Sequence, residues 1–149
     1  MFALKNASRS FCQPTSGPEV TAPFPADVSD LWPMLPTKDG VLIGLQSGGI
    51  NTYLGLDPAT GTLLKHQGAH LEPVLYTYGS DGTLYGLVDD TTPGVVAPRL
   101  AVRFSRTGVT PLTIPAGVVP TGDRLTRMYV DEQVILFVTQ FQRMFVVPR

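Results

Sequence analysis

From residue 37 onward the apolar positions of this chain come in short runs, mostly four to six residues long, separated by turn-forming residues. The runs cover residues 41–45, 53–56, 62–64, 74–78 and 84–88, then 100–104, 109–114, 127–130, 134–139 and 144–147. They are rich in Val, Leu, Ile, Tyr and Phe, the residues that suit a pleated, half-buried surface. Leu100, Val102 and Phe104 alternate with Ala101, Arg103 and Ser105, the period of two expected of a strand with one face buried. Residues 134–138 are apolar throughout, which predicts a strand covered on both faces. Asp39-Gly40 and Asp81-Gly82 each sit between two runs, and Asp-Gly readily adopts the positive φ of a two-residue hairpin turn. Asp131-Glu132 closes a third hairpin with weaker turn residues. The expected body is antiparallel and all-β.

The N-terminal segment reads differently. Residues 13–36 hold six of the fourteen prolines. Proline lacks an amide donor and blocks helix interiors, so residues 1–36 are expected to form an extended Pro-rich arm. One helical turn is expected near residues 27–32, stopped by Pro33. The β-repeat domain then spans 37–149. Aligning the two Asp-Gly turns gives an offset of 42 residues, with Val41-Leu42-Ile43-Gly44-Leu45 on Thr83-Leu84-Tyr85-Gly86-Leu87 and, after a longer connection in the second unit, Thr60-Gly61 on Thr107-Gly108. A third, shorter copy follows, dividing the domain into units of about 37–70, 71–117 and 118–149. Four strands repeating every 40 residues or so is the pattern of a β-propeller blade.

One stretch sharpens this. Tyr53-Leu54-Gly55-Leu56-Asp57-Pro58-Ala59-Thr60-Gly61-Thr62-Leu63-Leu64 resembles the repeats of the PQQ-type (YVTN-like) β-propeller families, where a strand enters an Asp-x-x-Thr-Gly turn before an outer strand. Asp can accept bonds from the turn amides and Gly takes the positive φ that tightens the hairpin. The tryptophan that commonly follows in that family is replaced by Lys65 and His66, the second unit keeps only Thr107-Gly108, and the third keeps nothing of that turn. The resemblance implies two to three propeller-like four-stranded units and carries over no active site. Closed propellers need about four to eight blades. Two blades and part of a third would expose strand edges and apolar faces. Either several chains complete a ring, or a neighbour donates a strand, or the strands form a small sandwich.

Composition and charge narrow the function classes. Only 15% of residues are charged and the formal net charge is −1, which argues against a nucleic-acid binder driven by phosphate charge. No apolar run reaches the roughly 20 residues of a membrane-spanning helix. The single cysteine, Cys12, permits no internal disulfide, and the N-terminus reads as an unprocessed one without a secretory signal. Charge is uneven along the chain. Residues 10–98 have two lysines against nine acids, and residues 99–149 have seven arginines against three acids. That asymmetry suits contact between subunits. The residues expected at such an interface are Arg99, Arg103, Arg106, Arg124 and Arg127 on the basic side, with Asp81, Asp89 and Asp90 on the acidic side.

Candidate chemistry is thin. His66 and His70 have the i, i+4 spacing of a helical zinc pair, with Glu72 nearby, but they fall in a loop between strands. Asp89-Asp90 lacks the ligand spacing of a calcium loop. Gln46-Ser47-Gly48-Gly49 lacks the lysine of a phosphate loop, and no G-x-S-x-G elbow occurs. No catalytic, cofactor-binding or metal residue is therefore assigned. Tyr76, Tyr78 and Tyr85, with Trp32, would allow a small lectin-like propeller assembled from several chains. The favoured expectation is a non-enzymatic structural subunit, a phage virion component of capsid or tail, otherwise cytoplasmic, whose partners are further copies or other structural proteins.

Overall fold

The computed structural model describes residues 2–4, 9–12, 20–23, 30–47, 50–65, 70–94 and 99–149. These are all-β, and every sheet is antiparallel with its strands in chain order. Strands β1 (Phe2–Leu4), β2 (Arg9–Cys12) and β3 (Val20–Pro23) form a three-stranded sheet. Strands β4 (Asp30–Thr37), β5 (Gly40–Ser47), β6 (Ile50–Leu56) and β7 (Leu63–Lys65) form a four-stranded sheet. A second one contains β8 (Leu71–Tyr78), β9 (Leu84–Asp90), β10 (Leu100–Ser105) and β11 (Gly108–Pro111). The last sheet has three strands, β12 (Leu125–Val130), β13 (Val134–Thr139) and β14 (Met144–Pro148).

Before residue 30 the described residues are strands, and they are paired with one another. Phe2 lies opposite Cys12 and Arg9 opposite Pro23. The helical turn expected near residues 27–32 is replaced from Asp30 onward by β4. Prolines are tolerated there because β4 is an edge strand, and because a register shift between Leu31 and Met34 takes Pro33 out of the ladder. A register shift also occurs in the first strand of each later sheet, between Pro73 and Leu75 in β8 and between Leu125 and Arg127 in β12. The run at 109–114 ends as a strand at Pro111, although the Leu112 amide still reaches Ala101 O at 2.8 Å.

The chain divides into two compact units, residues 1–68 with 105–108, and residues 69–104 with 109–149. In the first, Val41, Ile43, Leu45, Leu54 and Leu56 form a core cluster on one face of the sheet. Leu42 and Tyr53, on the other face, are buried as well. The tip of the β10–β11 hairpin belongs to this unit and seats on Gly55, where an added Cβ would stand 1.7 Å from Arg106 O. In the second unit Tyr85, Leu87 and Ala101 pack with Leu125, Met128, Ile135, Phe137 and Val147, so the two sheets share a core. Burying a side chain such as Phe137 contributes about 2–3 kcal/mol relative to leaving it exposed. Gly86 lies where a Cβ would meet the Phe104 ring at 2.5 Å, which keeps β9 closely packed.

The central strands differ in one respect. Val41 to Leu45 in β5 and Leu84 to Val88 in β9 are buried on both faces. In β13, Ile135 and Phe137 are buried while Val134 is exposed and Leu136 and Val138 are half-buried. The two-sided burial expected for residues 134–138 is therefore corrected. Among the described residues one face of β13 packs in the shared core, and the other is exposed or half-buried.

Candidate interaction surface

Turn chemistry places most of the charged side chains. Asp39 and Asp81 precede the glycines of the β4–β5 and β8–β9 turns. Their carboxylates accept bonds from the Thr37 hydroxyl at 2.9 Å and the Thr83 hydroxyl at 2.8 Å. Each is then met by a distant arginine. The Arg106 amide donates to Asp39 Oδ1 at 2.9 Å, and its guanidinium Nη1 donates to Asp57 Oδ2 at 2.8 Å. Partial burial pushes the Asp39 carboxyl up, but the Arg106 amide and the Thr37 hydroxyl more than offset it, leaving it below the ordinary value. Arg149 pairs with Asp81 and donates from Nε to the Tyr85 hydroxyl at 2.9 Å. The Thr83 hydroxyl and amide, then Arg149, hold the Asp81 carboxyl well below the usual carboxylate range.

Asp89, near the end of β9, is met by two arginines. Arg99 grips it with two bonds, Nε to Oδ1 at 2.8 Å and Nη2 to Oδ2 at 3.0 Å, and donates from Nη1 to Leu125 O at 3.0 Å. Arg124 adds a bond from Nη2 at 2.6 Å. Asp90 accepts from the Thr92 amide and hydroxyl at 2.9 and 2.6 Å. Arg99, Arg106, Arg124, Asp81 and Asp89 thus spend their charge on partners inside the chain. Arg103 and Arg127 are exposed and make no ion pair among the described residues. The partners Asp39, Asp57 and Arg149 lay beyond sequence reasoning, since nothing local marks a contact 67 or 49 residues away.

Of the histidine motif, His66 lies outside the described residues, and among the described residues no group of three metal-capable side chains occurs. The tyrosines separate. Tyr85 is buried in the shared core of the second unit, whereas Tyr76 and Tyr78 stand on the opposite face of that sheet, Tyr76 against the Phe104 ring at 5.6 Å. A cleft of about 880 Å³ opens beneath residues 112–124, walled by Leu100, Leu112, Ile114 and Val119, with Arg99, Asp123, Arg124 and Gln140 at its polar side. None of its lining residues is aromatic. Its charges balance, with Asp123 lining it beside the two arginines and Asp89 paired to both of them.

The uncovered face of the last sheet is different in kind. Register places Tyr129, Leu136 and Val146 in one row across it and Arg127, Val138 and Met144 in the next. Met144 is 71% exposed, Val146 56% and Tyr129 52%. A shallow depression of about 590 Å³ is lined by Tyr129, Val134, Leu136 and Val146, with Asp131 and Glu132 at its rim. Beside it, β14 is an edge strand with its outer side unpaired among the described residues. The sequence signal for this face was present in the unbroken apolar run of β13. Comparison with family models, with curated proteins and with solved structures finds no match for this chain.

Proposed function

We propose that this chain is a non-catalytic structural subunit that works by assembling with further copies or other structural proteins, in the setting of a phage virion. The observation that carries the reading is the apolar face of the last sheet. Contiguous exposed apolar surface on a sheet beside an unpaired edge strand is costly for a free protein and is what an interface supplies. The antiparallel, chain-order strands of each sheet, like those of propeller blades, support the same reading. The phage setting is an analogy from small, sparsely charged β proteins that build particles.

Light scattering on the purified chain is expected to give a discrete multiple of 16.1 kDa. That multiple should persist in high salt, because an apolar contact is not screened as an ion pair is. A chain that stays at its own mass at every concentration counts against self-assembly. Absence of the protein from purified particles would remove the virion setting.

A further inference from the structure

We infer that the outward face of the β12–β13–β14 sheet docks a second copy of this chain, the two sheets packing face to face across a twofold axis with their strands antiparallel. The inference rests on the reading of the chain as an assembling subunit and names the surface that does it. Burial is its starting point. The central strands β5 and β9 are covered on both faces, whereas β13, whose residues 134–138 are all apolar, is covered on one. Such a strand has no polar side chain to turn toward water, so its second face is built for a second layer. The depression lined by Tyr129, Leu136 and Val146 gives the side chains of a facing sheet somewhere to interdigitate.

Charge selects the occupant. Arg127 lies toward one end of this face. Asp131 and Glu132 form the turn that closes the other end, about 13–17 Å away at the rise of a strand. Arg149 also ends near that turn, but Asp81 neutralises it. The face is therefore apolar in the middle, basic at one end and acidic at the other. A twofold axis that reverses strand direction brings Arg127 of each copy to the acidic turn of the other. A parallel arrangement would set like charges together. The face is complementary to itself, which is what an isologous contact requires.

The test is sedimentation of the full chain at low salt over a range of concentrations. Wild type is expected at twice 16.1 kDa. Val146→Glu should raise the dimer dissociation constant at least about a hundredfold, because the new carboxylate would be buried without a partner. Arg127→Glu and Glu132→Arg should each weaken the dimer about tenfold, and the double variant should recover it, since the swap restores opposite charges. All three positions are on the surface, so circular dichroism and melting of the monomer serve as the folding control. A wild-type multimer that Val146→Glu leaves intact overturns this docking face while leaving assembly itself standing. A double variant that stays as weak as the singles overturns the antiparallel arrangement. A wild-type chain that never exceeds 16.1 kDa overturns both this inference and the self-assembly reading.

Discussion

Replacing Gly55 by alanine is expected to destabilise the first unit by about 3 kcal/mol, the upper end for overpacking a rigid site. The added methyl would lie 1.7 Å from Arg106 O and 2.8 Å from Arg106 C, well inside contact distance. Those atoms are backbone, so no side chain can swing away; either β6 or the hairpin tip at 105–108 must move. Moving the tip also breaks what Arg106 holds, the amide bond to Asp39 Oδ1 at 2.9 Å and the guanidinium bond to Asp57 Oδ2 at 2.8 Å. The steric cost and the lost charge-assisted bonds therefore add. Chemical denaturation followed by circular dichroism reads the loss, and hydrogen exchange should place it in β6 and the hairpin tip. Thr107→Ala is the control. Its hydroxyl bonds only to Ser105 at the exposed tip, and its removal should cost no more than about 0.5 kcal/mol. A Gly55→Ala protein as stable as wild type would mean that the hairpin tip is not seated on this sheet.

That site shows where sequence reasoning stops. Gly55 stands in the one stretch with a recognisable repeat motif, yet nothing local says that another backbone lies against it. The elements themselves were legible because their causes are local. Asp39-Gly40 and Asp81-Gly82 announce hairpins by their own φ preferences, and the runs that follow them span strands β5, β9 and β10 to within a few residues. β4 was not legible, because Pro33 and Pro36 stop a strand in a sheet interior and are tolerated on an edge at a bulge. The charged residues divide in the same way. An arginine destined for Asp89 of its own chain and one destined for a partner look alike in sequence, and only the fold separates Arg99 from Arg127. The run 134–138 is the converse case. Its composition states that both faces want cover, and among the described residues one of them is packed in a core.

Asp89→Asn should lower stability at neutral pH by about 2 kcal/mol, the worth of hydrogen bonds to a charged group in a partly buried site. The change keeps the shape and removes the charge that two arginines share. Arg99 suffers most, since its side chain is only 12% exposed and, of its three hydrogen bonds to described residues, two end on Asp89. Without the carboxylate its guanidinium stays largely out of water with Leu125 O as its remaining full partner. The bond ties β12 to the end of β9, so the loss falls on the core that Tyr85 and Leu87 share with Leu125 and Met128. The pH dependence has a definite sign. The Arg99 bonds, opposed by partial burial and aided by Arg124, hold the Asp89 carboxyl below its ordinary value. A carboxyl depressed in the folded state contributes its full stability above the unfolded pKa of about 3.9 and loses it as pH falls through the folded value. The gap between wild type and Asp89→Asn is therefore widest near neutrality and closes in acid. Asp39 and Asp81, depressed as well, leave the variant with an acid response of its own. Thermal melting at pH 7 should separate the two proteins by about 4–8 °C for a chain of this size, with the gap narrowing as pH falls through the folded carboxyl's lowered pKa. A gap that stays constant into strong acid, or none at neutrality, would show that Arg99 draws its stability from packing and from Leu125 O rather than from the charge on Asp89.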